Sequence, residues 1–130
     1  MPQKILLVDD EPHIILLLEQ TLEEFEDVGV EILTATNGRE ALEVIRVERP
    51  DLVYLDAMMP EMNGYDVCNR VKSEPALMNV YIVMLTAKGQ EIDKQKGAEV
   101  GADMYMTKPF DPDAIVVKTT EVLGIKMKGG

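Results

Sequence analysis

A chain of 130 residues has room for one core and no second functional module. It carries 24 acidic against 13 basic residues, a net charge of −11, and offers no basic footprint for nucleic-acid phosphates or for an anionic membrane surface. With 46% hydrophobic residues in periodic blocks it is not a disordered chain. The longest apolar run, Val80–Leu85, is far too short to span a bilayer, and Asp9 and Asp10 interrupt the N-terminus before a signal-peptide core could form. The single cysteine, Cys68, cannot form an internal disulfide and is read as core packing. These features imply one soluble, cytoplasmic domain over residues 1–125, followed by a flexible tail over 126–130.

In chain order, Lys4-Ile-Leu-Leu-Val-Asp9-Asp10 is a continuous apolar run ended by acids, the pattern of a strand buried on both faces. Asp10-Glu11-Pro12 supplies a capping acid and an early helical proline. Ile14, Leu17, Leu18, Leu22 and Phe25 then predict one amphipathic helix from Pro12 to about Phe25. This leaves Ile15 and Leu16 off the stripe and exposed, with His13 exposed as well. Glu31–Thr36 is a half-polar strand, Gly38–Glu48 a helix closed by Pro50, and Leu52–Asp56 a second apolar strand ending on an acid. Residues 59–64 form a turn-rich loop before a helix from Tyr65 to Ser73. Val80–Leu85 is the third apolar strand, with Thr86 at its end. A mostly polar helix is expected over 90–100, a short strand over Met104–Lys108, and a last helix capped by Asp111-Pro112 with Ile115, Val116, Thr119 and Leu123 inward.

Strands alternating with helices define an α/β domain with a parallel sheet. The more polar second and fifth strands belong at its edges, and right-handed crossovers allow the order 2-1-3-4-5. In such a sheet ligands bind outside the carboxyl ends of the strands. Those ends carry Asp9 with Asp10, then Asp56, Thr86 and Lys108. Converging carboxylates repel one another, and a hard divalent cation such as Mg²⁺ relieves the repulsion through oxygen ligands. A lysine and a hydroxyl beside them complete a site for a phosphoryl group, with one carboxylate available as nucleophile.

The segments Leu6-Leu-Val-Asp-Asp-Glu11, Asp56-Ala-Met-Met-Pro-Glu-Met-Asn-Gly64, Thr86-Ala87 and Gly101-Ala-Asp-Met-Tyr-Met-Thr-Lys-Pro-Phe110 are similar to the motifs of receiver domains of two-component response regulators. The resemblance covers essentially the whole chain and implies a flavodoxin-like (βα)5 three-layer sandwich. It implies that Asp56 accepts a phosphoryl group from a phosphohistidine of a sensor histidine kinase or phosphotransfer protein. Asp9, Asp10, Asp56 and the main-chain carbonyl of Met58 would hold Mg²⁺, with Mn²⁺ an alternative. Lys108 would pair with a phosphoryl oxygen, and its bond to Pro109 matches a cis peptide of the family. Thr86 and Tyr105 would move on phosphorylation and alter the face of the fourth helix, fifth strand and fifth helix, where a downstream protein or an output domain binds. Met58 and Lys88 match positions that tune hydrolysis. A thioether at Met58 orients water poorly, so self-dephosphorylation is expected on the order of minutes or longer. Ile15 and Leu16 form a candidate kinase-docking patch.

Three other classes fit less well. An aspartyl-nucleophile phosphohydrolase of the common type needs a second Asp where Met58 stands. A flavodoxin-like electron carrier needs a phosphate loop where Asp-Asp-Glu-Pro stands. A pseudo-receiver interaction module would not need the full set Asp9, Asp10, Asp56, Thr86 and Lys108. A phosphoacceptor is thus expected in preference to an enzyme, as a monomer or a phosphorylation-dependent dimer, and either alone or as a piece of a longer regulator.

Overall fold

Alternate residues of the central strands supply two separate cores, and this sets the architecture. The computed structural model describes residues 2–87 and 101–125. Strands β1 (Lys4–Val8), β2 (Glu31–Ala35), β3 (Leu52–Asp56), β4 (Tyr81–Ala87) and β5 (Met104–Lys108) pair in parallel in the order β2-β1-β3-β4-β5. Leu6, Val8, Val53, Leu55, Ile82 and Met84 point to one face, and Ile5, Leu7, Leu52, Tyr54, Val83 and Leu85 to the other. The first set packs against α3 (Gly38–Glu48) and α4 (Gly64–Ser73) through Ala41, Leu42, Ile45, Tyr65, Cys68 and Val71. The second packs against α1 (Pro12–Thr21), α2 (Glu23–Asp27) and α5 (Pro112–Leu123) through Leu18, Leu22, Phe25, Ile115 and Leu123. Every residue of β3 is buried, as a strand covered on both faces requires, whereas β2 and β5 are edges with mixed burial.

The helix expected from Pro12 to Phe25 is two helices, interrupted at Leu22. The Thr21 hydroxyl donates to the Leu17 carbonyl at 2.7 Å, and such back-bonding bends a helix at its last turn. Leu17 is 42% exposed, not inward. Leu18, Leu22 and Phe25 define the stripe, and Leu17 lies about 100° of helical rotation from its centre. Ile15, expected to be exposed, is half-buried against the second core, and Leu16 is exposed as expected. The capping acid also differs. The Glu11 N-cap makes no side-chain cap bond, and the adjacent buried Asp9 instead accepts from the Glu11 amide at 2.9 Å.

The expected cap at Asp111 forms, and α3 and α4 are capped in the same way, whereas α2 has no side-chain cap. The side chains of Asn37, Asn63 and Asp111 accept from the amides of Glu40, Asp66 and Asp113. Thr86, the expected end of its strand, is followed by one more paired residue, because β4 continues to Ala87 opposite Lys108. Cys68 is buried, as expected, and desolvation pushes its thiol up to about 11. The expected helix over 90–100, Lys88 and the tail over 126–130 lie outside the described residues. Among the described residues no helix is long and apolar enough to cross a membrane.

Candidate functional site

Strand alternation selects the residues that meet. Asp9 follows Ile5 and Leu7, Asp56 follows Leu52 and Tyr54, and Lys108 follows Met104 and Met106 at two-residue spacing. All three therefore leave the sheet on the side of the second core. Asp56 pairs with Leu85, which pairs with Met106, so Lys108 stands two residues, about 6.6 Å, beyond the Asp56 row. Its long side chain folds back over that distance. Lys108 Nζ lies 3.1 Å from Asp9 Oδ2 and 3.2 Å from Asp56 Oδ1.

Asp9 and Asp56 are buried, Lys108 is mostly buried, and Asp10 is exposed at the rim. One carboxylate oxygen from each of Asp9, Asp10 and Asp56 lies within 4.8 Å of the others, close enough to share one cation. The donor set is all hard oxygen, and the exposed Asp10 leaves its side open to water, which suits a small divalent ion better than a soft metal. Burial, reinforced by the Asp9 charge and opposed by Lys108, raises the Asp56 carboxyl to about 6. Burial also works against the charge of Lys108, but Asp56 and Asp9 outweigh it and hold the ammonium above its ordinary range.

The loop after β3 is held in place by two glycines. A Cβ on Gly64 would lie 2.3 Å from the Asp56 carbonyl oxygen, and one on Gly38 would lie 1.8 Å from that of Met62. The Gly64 amide donates to the Ala57 carbonyl at 3.0 Å, and the Met58 amide to Asp56 Oδ1 at 3.3 Å. Sequence reading did not single out Gly38. A glycine at the first position of a helix is the one signal that bears on it, and the packing of α3 against the loop shows what approaches.

Thr86 is buried, and its hydroxyl donates to the Met106 carbonyl at the long distance of 3.5 Å. Tyr105 is 41% exposed, so its ring is outward here. The Lys108–Pro109 bond is cis, as expected. An open crevice of about 430 Å³ is lined by Glu11, Ile14, Asp56, Met58, Ala87, Lys108 and Pro109. Glu11, Ile14 and Ala87 were not among the expected site residues, since only the fold brings α1 beside the ends of β3 and β4. His13 is exposed beside Glu11 at 3.1 Å and is not among the residues lining the crevice. Leu16 and half-buried Ile15 lie on α1, the helix that begins beside the acidic cluster.

A parallel 2-1-3-4-5 sheet with an acidic cluster and a bridging lysine at its carboxyl end defines a phosphoacceptor signalling module rather than a classical enzyme. Residues 5–120 match the response regulator receiver domain, and the chain belongs to that family. It is 43% identical over 123 residues to the alkaline phosphatase synthesis transcriptional regulatory protein PhoP of Bacillus subtilis, covering 95% of this chain and 49% of the relative. The chain thus spans about half the length of the curated relatives it matches. Among solved structures, it is similar to a protein from Chloroflexus aurantiacus described as a response regulator, at 35% identity and a TM-score of 0.85, covering 96% of this chain and 100% of that one. It is also similar to the chemotaxis protein CheY4 of Vibrio cholerae, at 34% identity and a TM-score of 0.81, covering 94% and 99%.

Proposed function

We propose that Asp56 is the phosphoacceptor and that a phosphohistidine on a sensor histidine kinase or phosphotransfer protein is the donor. An Asp56 carboxylate oxygen attacks phosphorus, the phosphorus–nitrogen bond breaks, and the imidazole nitrogen leaves with the electron pair and takes up a proton. The observation that carries this reading is the single ammonium of Lys108 bridging Asp9 and Asp56 inside a three-carboxylate cluster. Asp9, Asp10, Asp56 and the Met58 carbonyl would hold Mg²⁺, or Mn²⁺ in its place. When bound, the ion offsets the charge of the carboxylates and of the incoming phosphoryl group.

Lys108 exchanges a carboxylate contact for a phosphoryl oxygen, and the weakly held Thr86 hydroxyl turns toward the same group. Tyr105 follows inward, which alters the β5–α5 surface presented to a downstream target or to an output domain. Similarity to transcriptional regulators about twice as long favours an output domain as that partner, with this acidic domain making no nucleic-acid contact itself. On α1, Leu16 with Leu17 and the edge of Ile15 offers an apolar patch for the kinase's helices. Leu16→Ser slows transfer from the kinase while leaving transfer from a small phosphodonor intact.

The test is intact-mass measurement after incubation with Mg²⁺ and a small phosphodonor. One phosphoryl adduct is expected in the wild type and none in Asp56→Asn. A wild type without an adduct would overturn the proposal. The acyl phosphate should persist on the order of minutes or longer, and Met58→Asn should shorten it. An unchanged or longer lifetime in that variant contradicts the role given to Met58.

A further inference from the structure

The methionines of the described residues differ sharply in access. Met84 is buried in the sheet, and Met59 and Met62 pack against the first core. Met104 and Met106 are half-buried against the second. Met58 is 55% exposed and Met78 51%, which makes these two the most accessible methionines among the described residues. They sit in very different places. Met78 lies in the connection before β4, at the amino end of the strand, and lines none of the crevice around Asp56. Met58 lines that crevice together with Asp56 and Lys108, and its backbone amide is bonded to the Asp56 carboxylate. A thioether is a poor acceptor, so the wall that Met58 presents to water entering the crevice is nearly inert.

We propose that Met58 is a site of reversible oxidation, and that its sulfoxide shortens the life of the phosphoryl group on Asp56. The oxidant is a peroxide. The sulfur lone pair attacks one peroxide oxygen and the oxygen–oxygen bond breaks. The sulfur–oxygen bond forms, and the departing oxygen leaves as water with both peroxide protons. Sulfur is oxidised by two electrons and the peroxide is reduced. The product carries a strong acceptor oxygen in place of the thioether, two residues from the phosphoacceptor. That oxygen can accept from a water in the crevice and hold it for attack on phosphorus. One neutral hydrogen bond to the attacking water corresponds to about a three- to tenfold faster hydrolysis. The result is a redox input that lowers the signalling state without touching the kinase. The inference rests on Asp56 being the phosphoacceptor.

The experiment treats the domain with hydrogen peroxide and quantifies sulfoxide at each methionine by peptide mass spectrometry. Treated and untreated samples are then phosphorylated with Mg²⁺ and a small phosphodonor, the donor is removed, and the acyl phosphate is followed by intact mass. Met58 and Met78 should oxidise ahead of Met59, Met62 and Met84, and decay should quicken about three- to tenfold. Met58→Leu should abolish the response to peroxide and Met78→Leu should retain it. Methionine sulfoxide reductase should restore the slow decay. Met58→Gln, which carries an acceptor without oxidation, should decay faster than the untreated wild type. Sparing of Met58 while Met78 oxidises, or decay indifferent to its sulfoxide, overturns this inference alone. A missing adduct in untreated protein overturns the phosphoacceptor assignment and this inference with it.

Discussion

Replacing Asp56 by Asn should make the metal-free domain more stable at neutral pH, although it removes the proposed phosphoacceptor. The Asp56 carboxyl is raised from an ordinary 3.8 to about 6, first by burial and then by Asp9. The folded state therefore holds this proton more tightly than the unfolded chain does. The resulting contribution to stability is complete below about pH 4 and is lost as the pH rises through about 6. Above that, the ionised carboxylate opposes folding. A shift of about two units corresponds to at most ~3 kcal/mol, and solvent screening at the open crevice reduces this to ~1–2 kcal/mol. Asparagine keeps the shape and carries no charge, while Lys108 retains its contact with Asp9. Urea unfolding in chelator at pH 7.5 should show the Asp56→Asn midpoint higher by roughly 0.5–1 M. The two proteins should converge near pH 4. Mg²⁺ should narrow the gap at pH 7.5 by binding the wild type more tightly. An equal or lower midpoint at pH 7.5, or a gap that widens toward pH 4, would refute the reasoning.

Three further substitutions probe the supporting structure. Lys108→Met leaves Asp9 and Asp56 without their shared cation and should cost about 1–3 kcal/mol at pH 7.5 without metal, recovered on acidification as Asp56 takes up its proton, which it does at a higher pH once Lys108 no longer holds it down; a pH-independent loss in urea titrations would assign the effect to packing. Gly38→Ala drives a methyl group into the Met62 carbonyl and should destabilise by about 1–3 kcal/mol despite the better helix propensity of alanine, so a neutral or stabilised variant contradicts the close approach. Tyr54→Phe removes the hydroxyl that meets Thr119 Oγ1 at 2.7 Å and the Ile115 carbonyl at 3.1 Å. Thr119 still donates to that carbonyl at 2.8 Å, so the loss should be only about 1 kcal/mol by thermal or urea unfolding, and a loss several times larger would mean a less forgiving β3–α5 contact.

The domain's acidity divides on the same lines. Asp9, Asp10 and Asp56 against Lys108 leave a local charge of −2, which one divalent cation would bring to zero. Glu23, Glu24, Glu26 and Asp27 are exposed on α2, so much of the bulk charge of −11 is solvated surface.

Apolar runs bounded by acids identified β1 and β3, and the polar character of β2 and β5 placed them at the sheet edges, because each of these depends on neighbours close in sequence. The acids at the strand ends were legible for the same reason. Long-range geometry was not legible. Whether Ile15 or Leu17 turns inward depends on where α1 meets the sheet, and a small rotation exchanges them. The break at Leu22 coincides with a hydroxyl bond from Thr21 to the Leu17 carbonyl, a partner that only the folded turn supplies. The bridging of Asp9 and Asp56 by Lys108 joins residues 99 and 52 positions apart. Residue order alone therefore specifies the chemistry carried at each strand end. The placing of one ammonium between two buried carboxylates comes from folding, because desolvation and charge distance exist only once the chain has folded.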